Sequence, residues 1–189
     1  MAQKTLVVDL DRCIGCQSCT VSCKQENNVR LGAYWTKILT VGPYGTFPNL
    51  ETYYLPIMCQ YCENPACVKA CPTGASYKRS DGIVLIDKNK CNSCQDCILA
   101  CPYGALTYNN VEEAVEKCTL CAHLVDRGEN PACVKACVGK ARFFGDLSDP
   151  NSIVSKKIAL AGNRAFTLRP DAGTKPSVHY ILTKRTWRG

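Results

Sequence analysis

Cys91-Asn92-Ser93-Cys94-Gln95-Asp96-Cys97-Ile98-Leu99-Ala100-Cys101-Pro102 spaces its thiols as C-x2-C-x2-C-x3-C and then places a proline. Thiols at i, i+3 and i+6 in one loop can wrap an inorganic cube whose iron atoms each present a separate coordination site. A fourth thiol so close in sequence cannot easily reach the remaining iron. Iron–sulfur proteins with two clusters resolve this by sending the fourth cysteine of such a run to the other cluster, and the proline turns the chain away after that ligand. This one segment therefore asks for a second, similar segment elsewhere in the chain.

The rest of the sequence supplies it. All 16 cysteines fall into quartets: Cys13, Cys16, Cys19, Cys23; Cys59, Cys62, Cys67, Cys71; Cys91, Cys94, Cys97, Cys101; and Cys118, Cys121, Cys133, Cys137. The first quartet repeats the dense spacing of the third, and each follows a β-like run with an aspartate, Asp9 or Asp87, four residues ahead of its first cysteine. The second and fourth share the string Glu-Asn-Pro-Ala-Cys-Val-Lys-Ala-Cys, at 63–71 and again at 129–137. An internal duplication explains this identity, each half holding one dense quartet and one with a wider gap.

Coarse structure follows the cysteines. Leu6 to Leu10 and Ile83 to Asp87 read as short strands, and the segments between third and fourth cysteines suit a helical turn. Tyr34 to Val41 and Thr52 to Ile57 flank a bend at Gly42-Pro43-Tyr44-Gly45, which predicts an inserted hairpin. After Pro150 the cysteines stop, and a Lys/Arg-rich tail with scattered apolar residues follows.

Composition narrows the chemistry. A chain of 189 residues with 8% aromatic content builds no large conventional core, so metal centres are expected to hold it together. The formal net charge of +7 would suggest nucleic acid as a partner. Four clusters with four thiolates each, at about −2 apiece, offset that surplus, and no nucleic-acid partner is expected. The N-terminus lacks a signal-peptide pattern and the longest apolar runs are strand-length, so no membrane span is expected and membrane association would come through a partner.

Zinc is the main structural alternative, because Cys118, Cys121, Cys133 and Cys137 alone could form a closed site; the dense quartets argue against it. Disulfides would crowd adjacent C-x2-C-x2-C thiols. His123, close to Cys121, reads as a surface residue or a neighbour of a cluster more readily than as a ligand. Lys69, Lys135 and Arg142 are either solvated side chains or positive charges that tune a nearby cluster. Trp35, Tyr34 and Tyr44 read as packing residues. There is no nucleophilic Ser/His/Asp arrangement, no G-x-G-x-x-G loop and no P-loop, so no catalytic residue is expected in this chain.

Taken together, the quartets in this order, the run Glu63 to Ala75 and the string Phe144-Gly145-Asp146-Leu147-Ser148-Asp149-Pro150 resemble the four-cluster iron–sulfur (beta) subunits of molybdopterin oxidoreductases of the dimethyl sulfoxide reductase family. The likeness is closest to those of polysulfide and thiosulfate reductases. It implies an α+β fold of two bacterial-ferredoxin-like [4Fe-4S] domains related by pseudo-twofold duplication, with the inserted hairpin and a C-terminal arm. The outer domain would comprise 1–58 plus 110–149, the inner one 59–109, and the arm 150–189.

The resemblance also implies crossed ligand sets for four [4Fe-4S] clusters. Cluster 1 would take Cys13, Cys16, Cys19 and Cys137; cluster 2, Cys59, Cys62, Cys67 and Cys101; cluster 3, Cys91, Cys94, Cys97 and Cys71; cluster 4, Cys118, Cys121, Cys133 and Cys23. In the outer domain Lys24 and Val138 stand where the proline would follow the fourth cysteine. The implied partners are a large molybdopterin catalytic subunit holding molybdenum or tungsten and a polytopic quinone-reactive membrane anchor. The compartment is either the periplasm or outer face, reached by co-export with a twin-arginine partner, or the cytoplasm.

Against this relay subunit of an oxidoreductase complex stand a free-standing polyferredoxin or hydrogenase-type adaptor, and a metal-stabilised binding module without redox work. Anaerobically prepared protein should contain about sixteen iron and about sixteen acid-labile sulfide atoms per chain, the content of four cubanes. Stoichiometric zinc with little iron in elemental analysis would overturn the cluster reading.

Overall fold

The computed structural model describes residues 2–183. Its first half runs β1 (Lys4–Asp9), α1 (Ser18–Glu26), β2 (Lys37–Thr46), β3 (Asn49–Ile57), α2 (Ala66–Lys69), β4 (Ser76–Lys78) and β5 (Val84–Ile86). There follow α3 (Asp96–Ala100), β6 (Leu106–Asn109), β7 (Ala114–Lys117), α4 (Ala122–Val125), α5 (Ala132–Lys135) and β8 (Arg142–Asp146). The last elements are α6 (Ile153–Ala161), β9 (Ala165–Phe166) and β10 (His179–Ile181). The fold is thus a mixture of short helices and short strands.

β1 is rich in β-branched residues and lies second in a four-stranded sheet ordered β8-β1-β10-β9. It runs antiparallel to β8, with Leu6 opposite Phe144, and parallel to β10, with Val7 opposite His179. With neighbours on both edges, its Thr5, Leu6, Val7 and Val8 are buried on both faces, hence the run without polar alternation. The segment after 150, expected as a C-terminal arm, is built into this sheet. α6 packs Val154 and Ala161 against Val7 and Ile181, and Tyr180 and Leu182 join Leu6, Met58 and Tyr61 in the main core.

Local geometry repeats around the dense quartets. A 3-10 turn at Leu10–Arg12 precedes Cys13 and another at Lys88–Lys90 precedes Cys91; in each the cysteine N–H donates to the turn's first carbonyl at 3.2 Å. Gln17 and Gln95 then open α1 and α3 from the left-handed region, both at φ 62°. These turns let the two loop thiols and the one in the first turn of the helix face one side. Similarly, Pro65 and Pro131 stand before α2 and α5, where an extended residue starts a helix without needing its own N–H.

The remaining sheets are hairpins: β2 with β3, β4 with β5, and β6 with β7, all antiparallel. The inserted hairpin differs from its sequence reading in the position of its turn. Gly42-Pro43 lies inside β2, where the register shifts between Val41 and Tyr44, and the reversal falls at Phe47-Pro48. Gly42 has φ 113° and a Cβ there would come within 2.6 Å of Glu51 O, so its backbone needs glycine, while Pro43 has no N–H to offer the ladder. Such a pair suits a bulge as well as a turn.

The base of this hairpin touches the first quartet. Gly15, between Cys13 and Cys16, has φ 67°, and a Cβ on it would meet the Tyr54 ring at 2.5 Å. Gly15→Ala should therefore destabilise the folded protein by about 2 kcal/mol, from the left-handed backbone and the displaced ring. Anaerobic denaturant titration of the two proteins checks this, and superimposable curves would show that Tyr54 does not seat on the loop.

Candidate metal centres

Because every dense quartet ends in a helix, its fourth cysteine points away from the loop that holds the other three. α1 carries Cys19 and Cys23, and α3 carries Cys97 and leads into Cys101. The short helices α2 and α5 do the same for Cys67 with Cys71 and Cys133 with Cys137. All sixteen cysteines are free thiols in this structure.

Three cavities gather them in groups. Cys13, Cys16, Cys19 and Cys137 line one, beside Gly139 and Arg142. Cys59, Cys62, Cys67 and Cys101 line another, beside Tyr103 and Thr174. Cys71, Cys91, Cys94 and Cys97 line a third, beside Ser76 and Gln95. All three are small and partly open to solvent. The remaining four cysteines also come together: ionised Cys23 would be repelled by Cys118, Cys133 and Cys121, and Asn27 Nδ2 lies 3.8 Å from Cys23 Sγ and 3.6 Å from Cys121 Sγ. Among the described residues, no group of three or more Cys, His, Asp or Glu is arranged to hold a single metal ion. The thiols surround space instead of converging on a point.

Electrostatics says what that space must receive. Burial, reinforced by neighbouring thiols, pushes Cys62 and Cys97 up to about 11 and Cys118 up to about 12, and raises Cys23 further. Four thiolates in such a group require a strongly positive core, which iron ions provide. Backbone donors are in place for the sulfurs: Ser76 N–H donates to Cys71 Sγ at 3.4 Å and Ala141 N–H to Cys137 Sγ at 3.2 Å. The residues present fit [4Fe-4S] clusters in donor type, number and surroundings.

The cavities differ in access. Cys16 and Cys94 are exposed, whereas Cys23, Cys118, Cys121 and Cys133 are all buried, as are Cys59, Cys62 and Cys67. Between the two buried groups stands Tyr61, fully buried, whose hydroxyl donates to Cys118 Sγ at 3.0 Å while its backbone lies between Cys59 and Cys62. Lys117, also buried, lies 5.6 Å from the Tyr61 ring centre and donates to Cys118 O at 3.0 Å and to Val84 O. The C-terminal segment contributes too: Thr174 Oγ1 is 2.6 Å from Tyr103 Oη and acts on Cys62.

Spacing and motif do not single out Tyr61, Lys117 or Thr174. A tyrosine enclosed by Cys-x-x-Cys is the available signal for the first. His123 is half-exposed, pairs with Glu26 at 2.7 Å and lines none of the three cavities. Lys69 and Lys135 are solvated, but Arg142 is buried at 4% exposure. Burial opposes its charge, and attraction to Cys133 and Cys19 outweighs that to hold it above its ordinary value. Trp35 packs in the core, whereas Tyr34 and Tyr44 are partly exposed, Tyr34 beneath the Lys24 ammonium.

Comparison with known proteins agrees with the donor chemistry. A 4Fe-4S dicluster domain model matches residues 50–147 and a 4Fe-4S binding domain model matches 10–35. A protein of Halobacterium salinarum named as a dimethyl sulfoxide reductase iron–sulfur subunit is 46% identical, over 96% of this chain and 79% of its own. A sulfite dehydrogenase subunit of Allochromatium vinosum is 42% identical, over 98% and 85%, and the arsenate respiratory reductase iron–sulfur subunit of a Shewanella strain 35%, over 93% and 94%. With ferredoxin-like 4Fe-4S domains and relatives of this kind along nearly its whole length, the chain belongs to the iron–sulfur beta subunits of the dimethyl sulfoxide reductase family and is an electron-transfer subunit carrying [4Fe-4S] clusters.

Proposed function

We propose that this chain relays electrons through four [4Fe-4S] clusters between a large molybdopterin catalytic subunit and a quinone-reactive membrane subunit or another redox partner. The crossed sets are the proposed ligands: Cys13, Cys16, Cys19 with Cys137; Cys59, Cys62, Cys67 with Cys101; Cys91, Cys94, Cys97 with Cys71; and Cys118, Cys121, Cys133 with Cys23. The observation that carries this is that three cavities are each lined by three cysteines of one quartet and one from another. When bound, each cluster supplies a one-electron store.

The chain's own residues set the order of the stores. α1 joins the set of Cys19 to that of Cys23, Tyr61 joins the set of Cys118 to that of Cys59 and Cys62, and α2 joins the set of Cys67 to that of Cys71. The path is therefore proposed to run from the Cys16 side, through the two buried sets, to the Cys94 side. Exposed Cys16 and Cys94 put the two ends within reach of partners, and the buried middle keeps water and stray oxidants away. No helix among the described residues is long and apolar enough to cross a membrane.

The strand pairing supports the pseudo-twofold reading: β4, after the second quartet, pairs with β5, before the third, and β8, after the fourth, pairs with β1, before the first. Two compact units, 59–109 and the discontinuous 1–58 plus 110–149, follow from it. The named relatives are subunits of a dimethyl sulfoxide reductase, a sulfite dehydrogenase and an arsenate respiratory reductase, so the catalytic partner, holding molybdenum or tungsten, would choose the substrate.

Two experiments test this. Purified anaerobically from its native cells, the protein should co-elute with a large chain containing molybdenum or tungsten; elution alone, with free reactivity towards several soluble carriers, would favour the adaptor. Cys101→Ser should damage the cluster of Cys59, Cys62 and Cys67, leaving a three-iron or shifted EPR signal, while the cluster of Cys91, Cys94 and Cys97 survives. Loss confined to that latter cluster would refute the crossing.

A further inference from the structure

The two copies of the duplicated string continue as Cys71-Pro72-Thr73-Gly74-Ala75-Ser76 and Cys137-Val138-Gly139-Lys140-Ala141-Arg142. Ser76 and Arg142 hold the same place, each opening the strand that follows its quartet, β4 or β8. Both are buried, at 2% and 4% exposure. Each stands near the matching cysteine of the string, Ser76 near Cys67 and Arg142 near Cys133. The duplication has therefore kept the position and changed its charge.

Among the described residues Arg142 makes no ion pair with a carboxylate. Nη1 and Nη2 are both buried without a hydrogen-bond partner among the described residues. An uncompensated guanidinium inside a protein costs several kcal/mol, so something anionic must face it. Its side chain lines the cavity of Cys13, Cys16, Cys19 and Cys137, and the sulfurs of Cys133 and Cys23, from the neighbouring set, are close enough for their charge to act on it. The cation thus stands on the partition between two cradles that each become more negative when an electron arrives.

Building on the relay reading, we propose that Arg142 is a fixed counter-charge shared by the clusters of the Cys13–Cys19 and Cys118–Cys133 loops, raising both reduction potentials. Adding one electron to either cradle makes and breaks no bond. It only increases negative charge beside a guanidinium that cannot lose its proton. At the matching position Ser76 is neutral; the buried Lys117, which comes from outside 59–109 and donates to Cys118 O at 3.0 Å, is the cation that acts on Cys67. The outer pair has its charge centred between two clusters, which ties their potentials together.

The test is an EPR-monitored redox titration of the anaerobically prepared protein, wild type, Arg142→Gln and Arg142→Lys, each first assayed for iron and sulfide. In Arg142→Gln with full iron, two of the four signals should titrate lower, by about tenfold in the reduced-to-oxidised ratio at fixed potential, about 59 mV for one electron. The other two should stay put, and Arg142→Lys should stay near wild type. Unchanged potentials in a fully loaded Arg142→Gln protein overturn the proposal, as does a lysine variant shifted as far as the glutamine one. If both variants lose the iron of the outer pair, Arg142 builds the cradles instead of setting their potentials, and the proposal fails. A wild-type protein without iron would overturn the relay reading itself, and the assay of unaltered protein reveals that before any variant is compared.

Discussion

Thiolates repel one another, and this protein crowds sixteen thiols into a small volume with most of them buried. Cys23, Cys97 and Cys118 resist ionisation, through burial first and neighbouring thiols second. A positive core in each group removes the conflict and turns a destabilising arrangement into the main support of the fold. The rest follows from that requirement. Strands are short, helices between cysteines are a turn or two, and apolar clusters such as that of Val84, Leu106 and Val115 include cysteines among their members.

Much of this is visible in the cysteine spacing. Ligand loops, the helices that follow them, the strands before Cys13 and Cys91, and the duplicated string all have local causes: a thiol period, a left-handed glutamine, a proline before a helix. What stays hidden depends on distant partners. Gly42-Pro43-Tyr44-Gly45 has the residues of a turn, but a bulge uses the same residues, and only pairing with Glu51 and Tyr53 distinguishes them. The residues after 150 alternate too weakly to announce strands, because β9 and β10 are short, β10 gaining its order from β1 and β9 from β10. Arg142 reads in sequence as one more basic residue; its burial follows from β1 and β8 pairing Val8 with it.

The positive groups fall into two kinds. Lys88, Lys135 and Arg79 form exposed or half-exposed pairs with carboxylates, which are screened by solvent and contribute little. Lys117 and Arg142 are buried beside sulfur, where the same charge acts through a low dielectric. Net charge therefore says little about this molecule. Placement carries the meaning, and the two buried cations stand where neighbouring thiol groups adjoin.

The sheet that joins β1 to β8 and β10 has a consequence for synthesis. A strand made within the first ten residues finds its partners only after residue 142 and again after residue 179. Since chains emerge N-terminus first, the loop of Cys13, Cys16 and Cys19 leaves the ribosome long before Cys137 can join it, while the cysteines from 59 to 101 can gather early. The cavities lined by cysteines between 59 and 101 can close during translation; that of Cys13, Cys16 and Cys19 must wait, its thiols open to oxygen and stray metals, for the later strands. Closure of the cavity of Cys13, Cys16, Cys19 and Cys137 is thereby bound to completion of the sheet that holds it.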